Sequence, residues 1–192
     1  MLNHTISTVN TLFSAIKIAP VLMIFLLMEC GSFRTALADT LEEYTVKAAL
    51  SLNFARFTEW PPDGFTANSS VITMCTLGDN VIHDAFSGVE KKTIGKKTIT
   101  VINLTRIRDL NQCQLLFVSG MEKNKTIQLI DEIKMSPILT IGEDDDFIKS
   151  GGMVILKIVD GKVSMQINLD AVKKARLQIN SRVLKLAKIV SP

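Results

Sequence analysis

The stretch Tyr44–Phe65 limits the fold of this chain more than any other in its 192 residues. Val46, Leu50, Phe54 and Phe57 recur at i, i+4, i+8 and i+11, the spacing of one face of an α-helix. Ala48, Ala49, Leu52 and Ala55 broaden that stripe until little polar surface is left, which predicts a helix buried as a wall of the core. Pro61 disfavours helical geometry at Trp60, and neither Pro61 nor Pro62 can donate a backbone hydrogen bond, so the helix is expected to stop there. The chain's single tryptophan thus falls at the helix end beside Phe57 and Phe65. It reads as an aromatic plug on the core, with a Trp60-lined ligand or partner pocket as the alternative.

Ahead of this helix, residues 1–38 have the layout of a secretory signal peptide. Lys17 gives the positive flank, 18–28 the apolar run, and Ala36-Leu37-Ala38 a small-x-small site, which predicts cleavage between Ala38 and Asp39. The run is shorter than the about 20 residues a membrane-spanning helix needs; an uncleaved N-terminal anchor is the lesser reading. Cys30 follows Glu29 where a lipidated cysteine would follow a small residue, so it is expected to leave with the leader. Removing Lys17, Arg34 and Glu29 with it changes the formal charge from +3 to +2. A balance so near neutral argues against nucleic acid as a partner. Lys91-Lys92 with Lys96-Lys97, and Lys173-Lys174, read as solvated turns and helix faces before a membrane or anion surface.

What remains, 39–192, is one domain's worth of chain. Val71–Leu77 reads as a buried strand, followed by the Gly78-Asp79-Asn80 turn and a short helix from Val81. Strand, glycine turn and helix open a doubly wound α/β layer, whose usual ligand crevice lies beyond the strand ends near Leu77, Gly78 and Asp79. Thr98–Asn103 is the next strand, and Leu115–Val118 has the apolar continuity of a central parallel strand. Glu122–Ile133 is amphipathic, with Ile127, Ile130 and Ile133 at helical spacing, and Ile138–Ile141 is a further strand. The acidic run Glu143–Asp146 lacks the alternating ligands, central glycine and closing Glu of a Ca²⁺ loop, and reads as the charged start of a helical turn. Met153–Val159, Asp160-Gly161 and Lys162–Ile167 form a β-hairpin, giving the sheet an antiparallel edge. Asn168 or Asp170 caps a helix over 171–175, and Ser181 caps a last helix that buries Val183, Leu184, Leu186, Ala187 and Val190. The fold class is therefore α/β: a mixed, largely parallel central sheet flanked by helices, with a C-terminal hairpin and terminal helices.

Catalysis would need a nucleophile with its base, paired carboxylates, or a metal cluster. After the leader, His83 is the only histidine, and neither His-x-x-x-His, Cys-x-x-Cys, a Gly-x-Ser-x-Gly elbow nor a Walker loop occurs. No enzyme activity and no cofactor are expected. Cys75 and Cys113 are an even pair in an exported chain, which predicts a disulfide, the alternative being two buried thiols. The pairing requires their strands to be neighbours with staggered starts. Phe65 and Phe147 fall in predicted loops, where no stripe needs them, and are candidate partner contacts, with core packing as the alternative.

Tyr44-x-x-Lys47-Ala48-Ala49, Asn53-Phe54-Ala55-Arg56-Phe57 and Glu59-Trp60-Pro61 resemble the opening of the YfiR/HmsC-like family. Leu77-Gly78-Asp79, Cys113-Gln114-Leu115-Leu116-Phe117, Gly151-Gly152-Met153, Ile167-Asn168-Leu169 and Ser181-x-x-Leu184-x-Leu186-Ala187 continue the likeness in order. The resemblance implies a periplasmic regulator that restrains a membrane-bound diguanylate cyclase by binding its periplasmic sensor domain, lowering cyclic di-GMP and biofilm formation. It also implies that an OmpA-like outer-membrane lipoprotein can sequester the regulator; a homodimer is compatible with it. A second cysteine pair that some members carry before the hairpin is missing here, since 137–152 has no cysteine. The rival reading is a periplasmic small-molecule receptor, or a regulator of another membrane signalling protein.

Overall fold

The computed structural model describes residues 38–66 and 69–191. The chain divides into two units, Met1–Thr40 and Leu41–Pro192. Residues 1–37, with Lys17, the apolar run and Cys30, lie outside the described residues. Ala38 and Asp39, at the expected cleavage site, are helical and exposed.

The second unit begins with helix α1 (41–56), which ends before Trp60. The chain leaves the helix there because Thr58–Glu59 becomes a strand, β1, paired antiparallel with Gln178–Ile179 far along the sequence. Pro61 acts one step later, opening a 3-10 turn at Pro62–Gly64. Then follow β2 (Val71–Leu77), α2 (Asn80–Ser87), β3 (Thr93–Ile94) and β4 (Lys97–Asn103). A 3-10 turn at Ile107–Gln112 leads into β5 (Leu115–Val118), α3 (Lys123–Ile133), β6 (Leu139–Gly142) and α4 (Asp145–Lys149). The chain closes with β7 (Val154–Val159), β8 (Lys162–Asn168), α5 (Leu169–Lys174), β9 (Gln178–Ile179), α6 (Ser181–Leu184) and β10 (Lys188–Val190).

The main sheet has the order β10-β8-β7-β6-β5-β2-β4-β3. β4, β2, β5, β6 and β7 run parallel, while β3 is antiparallel to β4 and β8 to β7, so the sheet is mixed and largely parallel as expected. Helices cover both faces, and β5 shows why: Leu115 and Phe117 enter one core with Phe54 and Phe86, whereas Leu116 and Val118 enter the other with Leu129 and Phe147.

The hairpin is antiparallel as expected, but it is not the last element of its edge. β10 adds to β8 in parallel, through Lys188↔Gln166 to Val190↔Asn168. The expected long terminal helix is therefore only the turn Ser181–Leu184, capped by Asn180, whose side chain accepts from Arg182 N, and not by Ser181. Val183 is buried, but Leu186 is 72% exposed, so the helical stripe read there does not exist beyond 184. Asn168 takes the cap of α5, accepting from Ala171 N at 3.1 Å. On α3 the buried residues are Thr126, Leu129, Ile130 and Ile133, and Ile127 points outward.

α1 is rotated from its expected seat. Lys47, Ala48, Ser51, Phe54 and Ala55 face the sheet, while Val46 is 37% exposed and Leu50 and Phe57 are half-buried. The side-chain spacing was read correctly as helical, but hydrophobicity alone chose a face next to the one that packs. The outcome turns on Lys47, which is buried for an electrostatic reason given below.

Cys75 and Cys113 are bonded, with Cα atoms 5.8 Å apart. β2 and β5 are neighbours with Cys75 opposite Leu116, and Cys113 lies just ahead of β5, which supplies the stagger that the pairing requires. Both cysteines are buried in the second core. Closing a loop of 38 residues is worth about 4 kcal/mol in the chain-entropy account. Cys75→Ser is expected to lose about 4 kcal/mol of stability, read as a lower urea midpoint, and a loss below about 1 kcal/mol would show that the bridge adds little.

Candidate functional site

In an open doubly wound sheet the ligand crevice lies where neighbouring connections leave in opposite directions. Here β2 connects through α2 to β4 on one side, and β5 connects through α3 to β6 on the other. The switch point is therefore between β2 and β5, at Leu77-Gly78 and Val118-Ser119, as the sequence reading of Gly78 and Asp79 expects. Gly78 itself is tightly packed on the side a Cβ would take. A Cβ on Gly78 would sit 2.6 Å from Ile82 Cδ1 and 3.0 Å from the Ser119 carbonyl. Asp79 is an exposed residue at the start of α2 whose side chain makes no capping hydrogen bond.

α1 closes the strand ends with a polar cluster. Tyr44 Oη lies 3.0 Å from Ser119 Oγ and donates to Glu143 Oε2 at 3.4 Å. Its ring meets Phe117 edge-on, with centroids 6.3 Å apart. One turn further, Lys47 Nζ donates to both Glu43 and Glu143, and lies 4.8 Å from the Tyr44 ring centroid. Lys47 is only 3% exposed. Burial pushes its ammonium down, and the hydrogen bonds to Glu143 and Glu43 outweigh that, so its pKa is raised overall. The Tyr44 phenol is also raised, first by burial, then by the Glu143 charge, against the opposing hydrogen bond from Ser119. The lysine is fully engaged by two carboxylates, so it is a latch between α1 and the end of β6 and not a free nucleophile. Of the acidic run, Glu143 serves this latch and Asp144 caps α4 by accepting from Phe147 N at 2.7 Å. Glu43, Tyr44 and Lys47 also line a shallow recess of about 320 Å³ with the strand Leu156–Val159.

Trp60 lies at the other end of the sheet. Its Nε1 donates to the Gln114 carbonyl, just before β5, at 3.2 Å. It therefore cannot share a pocket with Gly78 and Asp79. Gln114 is the local organiser that sequence reading missed: its Oε1 accepts from Thr73 N at 2.8 Å and its Nε2 donates to Gly64 O at 3.3 Å. Phe65 packs edge-on against Trp60 at 5.9 Å, and Lys97 Nζ sits 4.0 Å from its ring centroid, so Phe65 is half-buried and already engaged. Phe147 is 2% exposed. It is a core residue of α4 and offers no surface to a partner. His83 is half-buried on α2 with Nδ1 unpartnered, and among the described residues no group of His, Cys, Asp and Glu could hold a metal ion.

Fold and site together describe an α/β domain whose strand ends are latched by its own first helix, a scaffold suited to presenting surfaces. Among the described residues, no helix is long and apolar enough to cross a membrane. The chain belongs to the YfiR/HmsC-like family, whose model matches residues 44–188. That span starts at Tyr44 of the latch and ends inside β10. Membership is consistent with a periplasmic regulator of diguanylate cyclases.

Proposed function

We propose that this chain is exported, loses residues 1–38, and acts in the periplasm as a single YfiR-like domain. There it represses a membrane-bound diguanylate cyclase by occupying the cyclase's periplasmic sensor domain. An OmpA-like outer-membrane lipoprotein is the proposed sequestering partner. The observation that carries this reading is the family match over 44–188. The outward side of α1 supports it: Val46 and Ala49 are exposed and Leu50 is half-buried, an apolar strip beyond what the sheet needs. Regulation by occupancy depends on stoichiometry and consumes no substrate.

Cyclic di-GMP measured in deletion and overexpression strains tests the proposal. Deletion is expected to raise the dinucleotide and surface attachment, and overexpression to lower both. Equal levels in the two strains would reject repression of a cyclase. The periplasmic protein is expected to begin at Asp39, and an intact Met1 on membrane-bound material would contradict export with cleavage.

A further inference from the structure

A second recess of the domain lies away from the strand-end latch, at the opposite end of the sheet and under α3. It arises because β6 and β7 pair only through Ile141↔Val154 and Gly142↔Ile155. One residue lower the ladder opens, and Met153 N donates to the Thr140 side chain at 3.1 Å where it would otherwise meet backbone. The gap that results has a volume of about 340 Å³, within the range of small-molecule sites. Ile130, Ile133 and Met153 supply apolar wall.

Two buried polar side chains line it with donors unspent. Asn168 is 2% exposed; its Oδ1 is taken by Ala171 N, and its Nδ2 donates to no protein atom among the described residues. Thr140, equally buried, accepts from Met153 N, and its hydroxyl proton meets no protein acceptor among the described residues. Neither donor is sealed away from the recess: the sealed side-chain atoms without a partner among the described residues are Ser51 Oγ and His83 Nδ1, so both donors can give their protons to a ligand seated in it. At the rim, Lys134 is paired with Asp131 at 3.1 Å. Lys174 lines the same recess and makes no ion pair among the described residues. Asp170 is the opposing charge at the rim.

We infer that this recess binds a small amphipathic carboxylate, its acid group accepting from Asn168 Nδ2 and the Thr140 hydroxyl with Lys174 as counter-charge, and its apolar body against Ile130, Ile133 and Met153. A carboxylate offers the acceptors that the two donors lack, and Lys174 offers the charge. The inference stands apart from the cyclase reading and needs no partner protein.

Calorimetric titration of the leader-free protein with hexanoate, hexan-1-ol and hexylamine tests it. Hexanoate is expected to bind at one site, with the alcohol and the amine at least roughly tenfold weaker, the loss expected when a charged acceptor is removed. Asn168→Asp keeps the α5 cap but replaces the amide donor by an acceptor, and is expected to abolish hexanoate binding. Lys174→Glu, on an exposed side chain, is expected to weaken it by about tenfold or more and decides the matter should Asn168→Asp fail to fold. Asp170→Asn is expected to tighten it. Equal affinity for the three probes would reduce the recess to an apolar hole. Tighter hexylamine binding would mean that the aspartates set its chemistry. No binding, or hexanoate binding indifferent to both Asn168→Asp and Lys174→Glu, would overturn the site.

Discussion

Phe147→Ala is expected to remove about 3–5 kcal/mol of stability and to lower the melting temperature by roughly 10 °C. The ring is wedged between two backbone segments that have no side chain to spare. A Cβ on Gly142 would lie 2.4 Å from the Phe147 ring, and one on Gly152 would lie 2.2 Å from it. The residue's own backbone is held twice more: Phe147 N donates to Asp144 Oδ1 at 2.7 Å, and Gly152 N donates to the Phe147 carbonyl at 2.9 Å. Alanine would leave a ring-sized void that backbone cannot collapse to fill. The same geometry predicts coupling. Gly152→Ala alone should be destabilising because its methyl meets the ring, and should cost much less in a Phe147→Ala background where the ring is gone. Urea denaturation of the two single variants and the double variant checks this. Additive losses would show that the glycine is small for some other reason.

Lys47→Met is expected to cost about 3 kcal/mol, because it strands Glu143 beside an apolar side chain in a site built for an ammonium. Adding Glu143→Gln should recover part of that loss, since the unpaired charge is then removed as well. The pH dependence has a definite sign. The Lys47 ammonium is raised by its two carboxylates above its ordinary value of 10.5, burial notwithstanding. A group held above its unfolded pKa adds stability that is fully present below the unfolded value and lost as pH climbs through the folded one. The stability difference between wild type and Lys47→Met attributable to the lysine should therefore be flat from neutral pH into the mildly alkaline range. It should shrink only above 10.5, as the lysine in wild type deprotonates. A difference that vanishes already near neutrality would mean that the latch is not an ion pair in solution. Because Lys47 and Glu143 hold α1 to the end of β6, weakening the latch should also reduce hydrogen-exchange protection along α1 before the rest of the domain.

The parts of the fold legible in the sequence are those with periodicity long enough to read. Val71–Leu77, Leu115–Val118, the Asp160-Gly161 hairpin and the amphipathic α3 all announce themselves by local pattern and turn residues. Strands of two or three residues do not. Thr58–Glu59, Thr93–Ile94, Gln178–Ile179 and Lys188–Val190 exist because a neighbouring strand offers them a ladder, and no periodicity fits in so short a run. That is why the last helix was read too long: the apolar residues after Leu184 fit a helical stripe and also a three-residue edge strand, and β8 decides between them.

The site was less legible than the fold. Gly78 and Asp79 mark the topological switch point, which the strand–turn–helix pattern locates. Trp60 reads as a separate pocket candidate at the end of α1, and the sheet places it beside Gln114, at the opposite strand ends from Gly78 and Asp79. Phe147 reads as a loop residue because no helical stripe or strand face near it needs it, and the glycines that grip it, Gly142 and Gly152, do so only in the folded chain. Nothing in the local pattern marks Lys47 as a buried residue, because its partner Glu143 is 96 residues away.

By itself the sequence determined the class of fold, the order of its principal elements, the candidate disulfide and the family likeness, all of which rest on local pattern or on residue order. Tertiary structure alone decided which side of α1 is buried, what ends that helix, where the sheet's edge lies and which polar groups are left to face a ligand. Each of those outcomes depends on a contact between distant segments. A buried lysine or a three-residue strand is stable only once its distant partner is in place.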